Sequence, residues 1–416
     1  MSRATAVVVD PYSSGTKYAS ALMRAGFSPV AVRSHPRPAR DFTATFCQQD
    51  FDDGFEEEES GVDGVLRELV RRNVVAVLPG AESGVRLADA LATHLTPGLA
   101  NDPGLATARR HRGLMQQAVA RHGLPVIPTL TIRDPQEAVE ALERPEFAGR
   151  SLVVKPATAV STDGVTLVEA GQPWQPAVVG LLGRRNAVGL VNEEVVVQPR
   201  VHGTEYAVNT FSHNGRHTIT DICRYNKVSN AGHFAVYRDV EFLRADDSGH
   251  DELTDYARRA LDAVGFRFGP AHTEIMLTAD GLRLMEVNSR VAGSGMAAAA
   301  VLATGDNGMR MTVQHLLGKR NFADTYELVR TVRVAMFVAP GSGTVRNIEV
   351  LDEIRSLPTC RALVLNVGNG DRVSATSDLL SSTRFGWALF ADTDSRAVDR
   401  DHVRARKCEE RLRIQA

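Results

Sequence analysis

Over its first hundred positions the chain alternates continuous apolar runs with stretches of helical period. Residues 4–9 form a β-rich run, PYSSGTK follows, residues 18–25 carry a helical pattern stopped by Gly26, and 29–32 are apolar again. Strand, helix, strand in that order predicts a βαβ unit of a parallel sheet. Residues 74–78 read as another buried strand, and Pro79-Gly80-Ala81-Glu82-Ser83-Gly84 leads from it into a helix over 85–95. Ser13-Ser14-Gly15 and Glu82-Ser83 fall at the carboxyl ends of these strands, where ligands approach such sheets. Neither is a glycine-rich dinucleotide fingerprint, and a turn or helix-cap role suits Glu82 and Ser83 equally well. The acidic run FDDGFEEEES at 50–60 reads as a solvated loop or helix start.

Asn101-Asp102-Pro103 marks a boundary. Beyond it the pattern predicts a helix over 105–122 carrying Arg109, Arg110 and Arg112, a strand at 129–132, and a helix from Asp134-Pro135 to about 143. A strand over 151–155 ends in Lys155-Pro156, and a loop rich in small polar residues leads to a strand at 165–168. A charge that terminates an apolar run needs something to meet. A strand–loop–strand hairpin with a lysine at its base can fold over phosphates through backbone N–H groups. Strands follow at 194–198, 206–211 and 218–225, the last two joined by Asn214-Gly215, a strong hairpin turn. Residues 225–233, YNKVSNAGH, read as a polar loop carrying Lys227, and 251–264 as an amphipathic helix.

The densest chemistry lies in AHTEIMLTADGLRLMEVNSRVAGSG, residues 271–295. Two apolar runs flank Ala279-Asp280-Gly281 and predict a β-hairpin closed by a three-residue loop with Gly281 left-handed. In that register Glu274 lies opposite Glu286. His272, Glu274, Glu286, Asn288 and Arg290 then share one face, with Ile275, Leu277, Met285 and Val287 on the other, toward a core. Facing carboxylates repel. A hard cation such as Mg²⁺, completed by phosphate and water oxygens, would relieve that repulsion, and Arg290 is placed to stabilise developing negative charge. The bland alternative is a solvated polar face on an edge hairpin. After an Ala-rich helix at 296–303 and a helix at 309–317, short β-like runs at 332–338 and 363–367 predict a small antiparallel module.

Composition narrows the class. The 416 residues suggest two or three domains, and 43% hydrophobic content supplies large cores. A net charge of −2 implies no broad attraction to nucleic acid or anionic membrane. Cys47, Cys223, Cys360 and Cys408 lack metal-ligand spacing, so a reduced, cytoplasmic protein is expected. No apolar run reaches membrane-spanning length.

In order, Lys155-Pro156, a loop, Gln198-x-x-Val201-x-Gly203-x-Glu205, Lys227, His272-x-Glu274 and Glu286-Val287-Asn288-x-Arg290 resemble the ATP-grasp carboxylate–amine ligases. The length of the loop after Lys155 is similar to that of the bacterial L-amino acid ligases, which form dipeptides. The resemblance implies a mixed α/β and α+β fold. Residues 1–102 would be an N-terminal Rossmann-like domain, 103–322 the ATP-grasp domain with a lid over about 125–198, and 323–416 a small C-terminal α+β module. It implies that ATP contacts Arg112, Lys155, Ser161, the hinge Gln198, Arg200 and Val201, the ribose acid Glu205, and His272. It implies Mg²⁺, with Mn²⁺ as an alternative, on Glu274, Glu286 and Asn288, and catalytic roles for Arg290 and Lys227. Arg112 stands where many members carry Lys, and Gln198 where many carry Glu.

The reaction implied is activation of a carboxylate, an amino acid or peptide-like acid, as an acyl phosphate, then amide formation with an amine, releasing ADP and phosphate. Small molecules would be the partners, with neither nucleic acid nor membrane, and a homodimer is the assembly considered. Three rivals stand beside it. One is another ATP-grasp enzyme, a carboxylase component or nucleotide-biosynthesis ligase. The second is an ATP-binding sensor without turnover. The third, a dinucleotide-binding oxidoreductase, lacks its glycine fingerprint and ribose acid.

Overall fold

The computed structural model describes residues 3–160 and 162–415. Near the N-terminus the expected parallel sheet forms, in the order Asp53–Glu56, Ser28–Arg33, Thr5–Val9, Val74–Pro79. Helices Lys17–Arg24, Glu57–Val70 and Val85–Leu95 belong to it. Its two central connections, after Thr5–Val9 and after Val74–Pro79, touch at their backbones. A Cβ on Gly80 would lie 2.6 Å from the Asp10 carbonyl oxygen, so only glycine lets the loops close up. Of the two readings of the acidic run at 50–60, the helix start holds and the loop does not. The run supplies the edge strand and the first turn of a helix, and buried Glu57 pairs with Arg86 at 2.5 Å.

A four-stranded antiparallel sheet runs Leu130–Ile132, Val195–Pro199, Leu152–Pro156, Thr166–Val168. The largest sheet has eight strands in the order Gly281–Asn288, Gly269–Thr278, Gly203–His213, Arg216–Asn230, His233–Phe242, Thr331–Met336, Gly386–Asp392, Cys360–Leu365. Strands of the C-terminal region therefore continue the central sheet, through the pairing Asp239 to Ala335. Asn214 and Gly215 both take positive φ, the mirror-image turn that matches strand twist.

Three local expectations change. The helix expected over 105–122 begins only at Arg112, because His111 accepts the Leu114 N–H on its ring at 3.2 Å and caps it there. Arg109, outside the helix and fully buried, instead donates to Asp89, Val264 O and Asp102 O, tying the N-terminal helix Val85–Leu95 to the central body. The helix expected to run to 143 spans only Val139–Leu142. The polar segment at 225–233 is strand as far as Asn230, since it ladders with His233–Phe242 as one long hairpin.

In the Gly269–Thr278/Gly281–Asn288 hairpin, Gly281 is left-handed (φ 94°) and pairs directly with Thr278. That tighter closure would shift the register by one. A bulge at Met285 restores it, so Glu274 does pair with Glu286 and His272 with Asn288. The bulge also moves side chains. Leu284 takes the core place expected of Met285, which lines the cleft instead, and Leu277 is 40% exposed rather than buried.

Candidate active site

A cavity of about 1520 Å³ lies where the sheets meet. The N-terminal loops contribute Tyr12–Ser14 and Gly80–Ser83, the smaller sheet Lys155 and Gln198, the large sheet Glu205, Lys227, His272, Glu274, Glu286 and Asn288. The C-terminal region adds Met336, Leu379 and Trp387. Of the thirteen residues singled out from sequence, twelve line this cavity: Arg112, Lys155, Gln198, Arg200, Val201, Glu205, Lys227, His272, Glu274, Glu286, Asn288 and Arg290. Ser161 lies outside the described residues.

Lys155 ends its strand with its side chain buried. Burial and the nearby Arg112 charge pull its ammonium down to about 8, against the opposing attraction of Glu286, Glu274 and Glu205. Arg112, the first residue of its helix, donates to Pro156 O at 2.8 Å and sits 3.3 Å from Glu286. It thereby anchors the base of the loop that follows Lys155. The Gln198 amide donates to Thr129 Oγ1 at 2.7 Å, which turns its carbonyl oxygen away from that hydroxyl. The Arg200 backbone N–H is used by Ser151 O, while its guanidinium lies 5.5 Å above the Phe234 ring. Val201 borders the opening next to them.

Glu205 accepts from Lys227 on both carboxylate oxygens at 2.7 Å, and Lys227 also lies 4.2 Å over the Tyr237 ring. Burial raises the Glu205 carboxyl above its ordinary range, Lys227 working against that rise and Glu274 adding to it. His272 has both ring nitrogens engaged. Nδ1 lies 2.7 Å from Asn209 Oδ1, and Nε2 lies 3.2 Å from both Glu274 and the Tyr225 hydroxyl. Asn209 in turn donates to buried Asp221. This chain orients Glu274, as partners behind a ligand commonly do.

The two paired carboxylates are driven apart in acidity. Burial pushes against ionisation of both, but His272 holds Glu274 well below the usual carboxylate range. Glu286 is pushed up by burial and by the charges of Glu274 and Glu82, with Arg112 and Lys155 opposing. Such a pair is suited to a divalent cation, which removes the repulsion. Asn288 adds an amide oxygen, now accepting from Arg290 at 3.1 Å. Among the described residues no three His, Cys, Asp or Glu side chains cluster as a metal cage. A cation here would thus rely on two carboxylates, one amide and oxygens from phosphate and water, the habit of Mg²⁺.

Arg290 is fixed by Glu82 at 3.1 Å on Nε, by Asn288, and by Val291 O at 3.0 Å. Glu82 also pairs with Arg110. The sequence flagged the strand end that carries Glu82 but not this partnership, because Arg110 was assigned to a helix. Nothing local in the sequence marked Met336, Leu379 or Trp387.

Residues 149–298 match the family model described as an ATP-grasp domain. The chain is 28% identical over 287 residues to dapdiamide A synthase of Enterobacter agglomerans, covering 69% of this chain and 67% of that one. Among solved structures, the L-amino acid ligase of Bacillus licheniformis superposes with TM-score 0.75 at 19% identity, over 100% of this chain and 99% of that one. N5-carboxyaminoimidazole synthetase of Staphylococcus aureus in complex with ADP gives 0.67 at 12% identity, over 97% and 96%. The protein is an ATP-grasp enzyme in fold. The family model covers residues 149–298, and the proteins the chain resembles include a dapdiamide synthase and an L-amino acid ligase.

Proposed function

We propose that this cleft activates the carboxylate of an amino acid or peptide-like acid as an acyl phosphate and couples it to an amine. The observation that carries this reading is the convergence of Lys155, the Glu274–Glu286 pair, Asn288 and Arg290 on one cavity. Lys155 and Arg112 hold phosphate oxygens, and the loop that follows Lys155 covers them as part of a lid at about 125–198. The Gln198 carbonyl and the backbone of Arg200 and Val201 read the base, Glu205 takes the ribose hydroxyls, and Lys227 steadies Glu205. His272 acts as a positioning residue for Glu274 rather than as a contact to nucleotide, both its ring nitrogens being engaged. Glu274, Glu286 and Asn288 hold Mg²⁺, or Mn²⁺ in its place, which when bound screens the phosphate charge. Arg290 meets the charge that develops on the carboxyl oxygen.

Positioning and charge stabilisation are what phosphoryl transfer chiefly asks of a protein. The same reading divides the chain at 102 and 322 and takes a homodimer in the cytoplasm as the working state. The direct test is ATP consumption against pairs of amino acids, with mass spectrometry of the products. A condensed amide formed together with ADP supports it. Tight ATP binding with no stimulation by any pair supports the sensor reading instead.

Two expected outcomes follow from the nucleotide half of the site. With its pKa lowered to about 8, Lys155 loses its charge as pH rises through that value in the ligand-free protein. Nucleotide affinity, measured by calorimetry, should therefore fall above about pH 8 and hold steady below it. Lys155→Arg, always charged, should abolish that dependence. A flat profile in the wild type contradicts the phosphate role of Lys155. Glu205→Ala should weaken ATP binding roughly 10–100-fold, the scale of a hydrogen bond to a charged group. The preference for ATP over GTP should be unchanged. Altered base preference at unchanged affinity would remove the division of labour between Glu205 and the hinge.

A further inference from the structure

The acidic run Glu56-Glu57-Glu58 and a turn at 186–189 serve one junction at the rim of the cavity. Glu56 pairs with Arg33 and, at 3.1 Å, with Arg37. Glu57 accepts the His35 N–H at 2.7 Å, and Glu58 lies 3.6 Å from Arg37. From the other side, buried Asp10 accepts the Ser34 N–H at 2.7 Å and the Ser34 hydroxyl at 2.5 Å. The loop 34–39 is thereby pinned to the parallel sheet. Its far end touches the turn. The Ala39 N–H donates to Ala187 O at 2.8 Å. A Cβ on Gly189 would lie 2.3 Å from Arg37 O, and Gly189 is also left-handed (φ 83°), so two constraints call for glycine there. Pro38 and Val188, one from each side of the junction, line the cavity.

The turn also grips the loop that follows Lys155. The Asn186 side-chain oxygen closes the turn by accepting the Val188 and Leu190 N–H groups at 3.1 and 3.2 Å. Its side-chain amide donates to Thr158 O at 2.7 Å, and the Ala187 N–H donates to Asp163 Oδ2 at 2.6 Å. Ala187 therefore joins two loops through its own backbone: its N–H reaches the phosphate loop and its carbonyl the N-terminal loop.

We infer that this turn is a latch that holds the loop after Lys155 closed against the N-terminal loop 34–39, with Asn186, Ala187 and Gly189 as positioning residues. What the latch does rests on the ligase reading above. An acyl phosphate lasts only while water is kept from it. With the latch open, water attacks the acyl carbon, the bond from that carbon to the phosphate oxygen breaks, and phosphate leaves with a proton from the water. The free carboxylic acid returns and no amide is made.

The test uses the full-length protein and two variants on opposite sides of the junction. Ala39→Pro removes the donor to Ala187 O. Ala39 is exposed with φ −56°, an angle proline adopts, so the substitution is compatible with folding. Gly189→Ala pushes the turn off Arg37 O. Hydrogen exchange with MgADP present is the first readout. One hydrogen bond shifts a closed–open balance by about 2–10-fold, so both variants should exchange faster by that factor at 157–165. Faster exchange confined to 33–46 in Ala39→Pro is what a purely local role gives, and it would overturn the latch. The second readout is amide formed per ADP released with a fixed pair of substrates. Wild type should make the two in equal amounts. Both variants should make at least about twofold less amide per ADP, and the yield should recover as the amine concentration rises and outcompetes water. Faster exchange at 157–165 with an unchanged amide yield would overturn the shielding role. If no pair of substrates yields an amide, the ligase reading itself fails, and hydrogen exchange alone decides the latch.

Discussion

Arg290→Met should bind MgATP with nearly wild-type affinity yet turn over at least about a hundredfold more slowly. Removing one group that stabilises charge only in the transition state typically costs 10²–10³ in kcat, about 3–4 kcal/mol. Arg290 is placed for such a role. It lies two residues beyond the strand end at Asn288, and Glu82, Asn288 and the Val291 carbonyl fix its guanidinium. Met keeps the length of the side chain and removes its charge. Glu82 retains Arg110 as a partner, so no buried carboxylate is stranded. Equal losses in kcat and kcat/KM for the carboxylate, with the nucleotide dissociation constant unchanged, are the signature of an interaction made only in the transition state. A variant with near-normal kcat would remove this role from Arg290, and one with weakened ATP binding would recast it as a nucleotide contact.

Glu286→Gln should lose divalent-cation-dependent turnover by at least about a hundredfold, since even partners behind a metal ligand matter by about 10–100-fold. It should not lose stability in the absence of metal and nucleotide. Glu286 has its pKa raised by burial, Glu274 and Glu82, despite Arg112 and Lys155. A carboxyl whose folded pKa exceeds its unfolded value disfavours the folded state once it ionises, at pH above that unfolded value. A neutral amide of the same shape avoids that cost at neutral pH. Thermal unfolding of the metal-free, nucleotide-free variant should therefore show a midpoint equal to or above that of wild type. A clearly lower midpoint would mean that Glu286 serves chiefly to pair with Arg112, and the cation assignment would fall.

Much of this site was legible because strand alternation is a strict geometry. Placing Glu274 opposite Glu286 also aligned His272 with Asn288, and the structure keeps both pairs. The route differed: a tight closure plus a bulge at Met285 in place of a longer loop. A single bulge is invisible to period-2 counting, and so the fate of Met285 was misjudged; Leu277 lies on the facing strand, beside the closing pair Thr278–Gly281, and is exposed there. The parallel sheet at the N-terminus was readable because its strands are continuous apolar runs, the mark of burial on both faces. Residues 225–233 looked like a loop because their side chains are polar. Their backbone is nonetheless laddered, and that polarity belongs to a cleft-facing hairpin. The start of the helix at Arg112 was missed because its cap is a histidine ring, a residue not usually read as a stop or start signal. Beyond these, the cleft wall at Met336 and Trp387 is assembled from strands distant in sequence, and no local pattern announces it.

The measurement that bears most directly on the central claim follows one oxygen atom. The acyl donor is supplied with its carboxylate labelled with ¹⁸O, and the inorganic phosphate and nucleotide products are analysed by mass spectrometry after amide formation. An acyl phosphate intermediate requires one labelled oxygen to pass to phosphate, with unlabelled ADP as the nucleotide product. Label in AMP, or phosphate free of label while amide accumulates, would contradict the mechanism built on Lys155, the Glu274–Glu286 pair and Arg290.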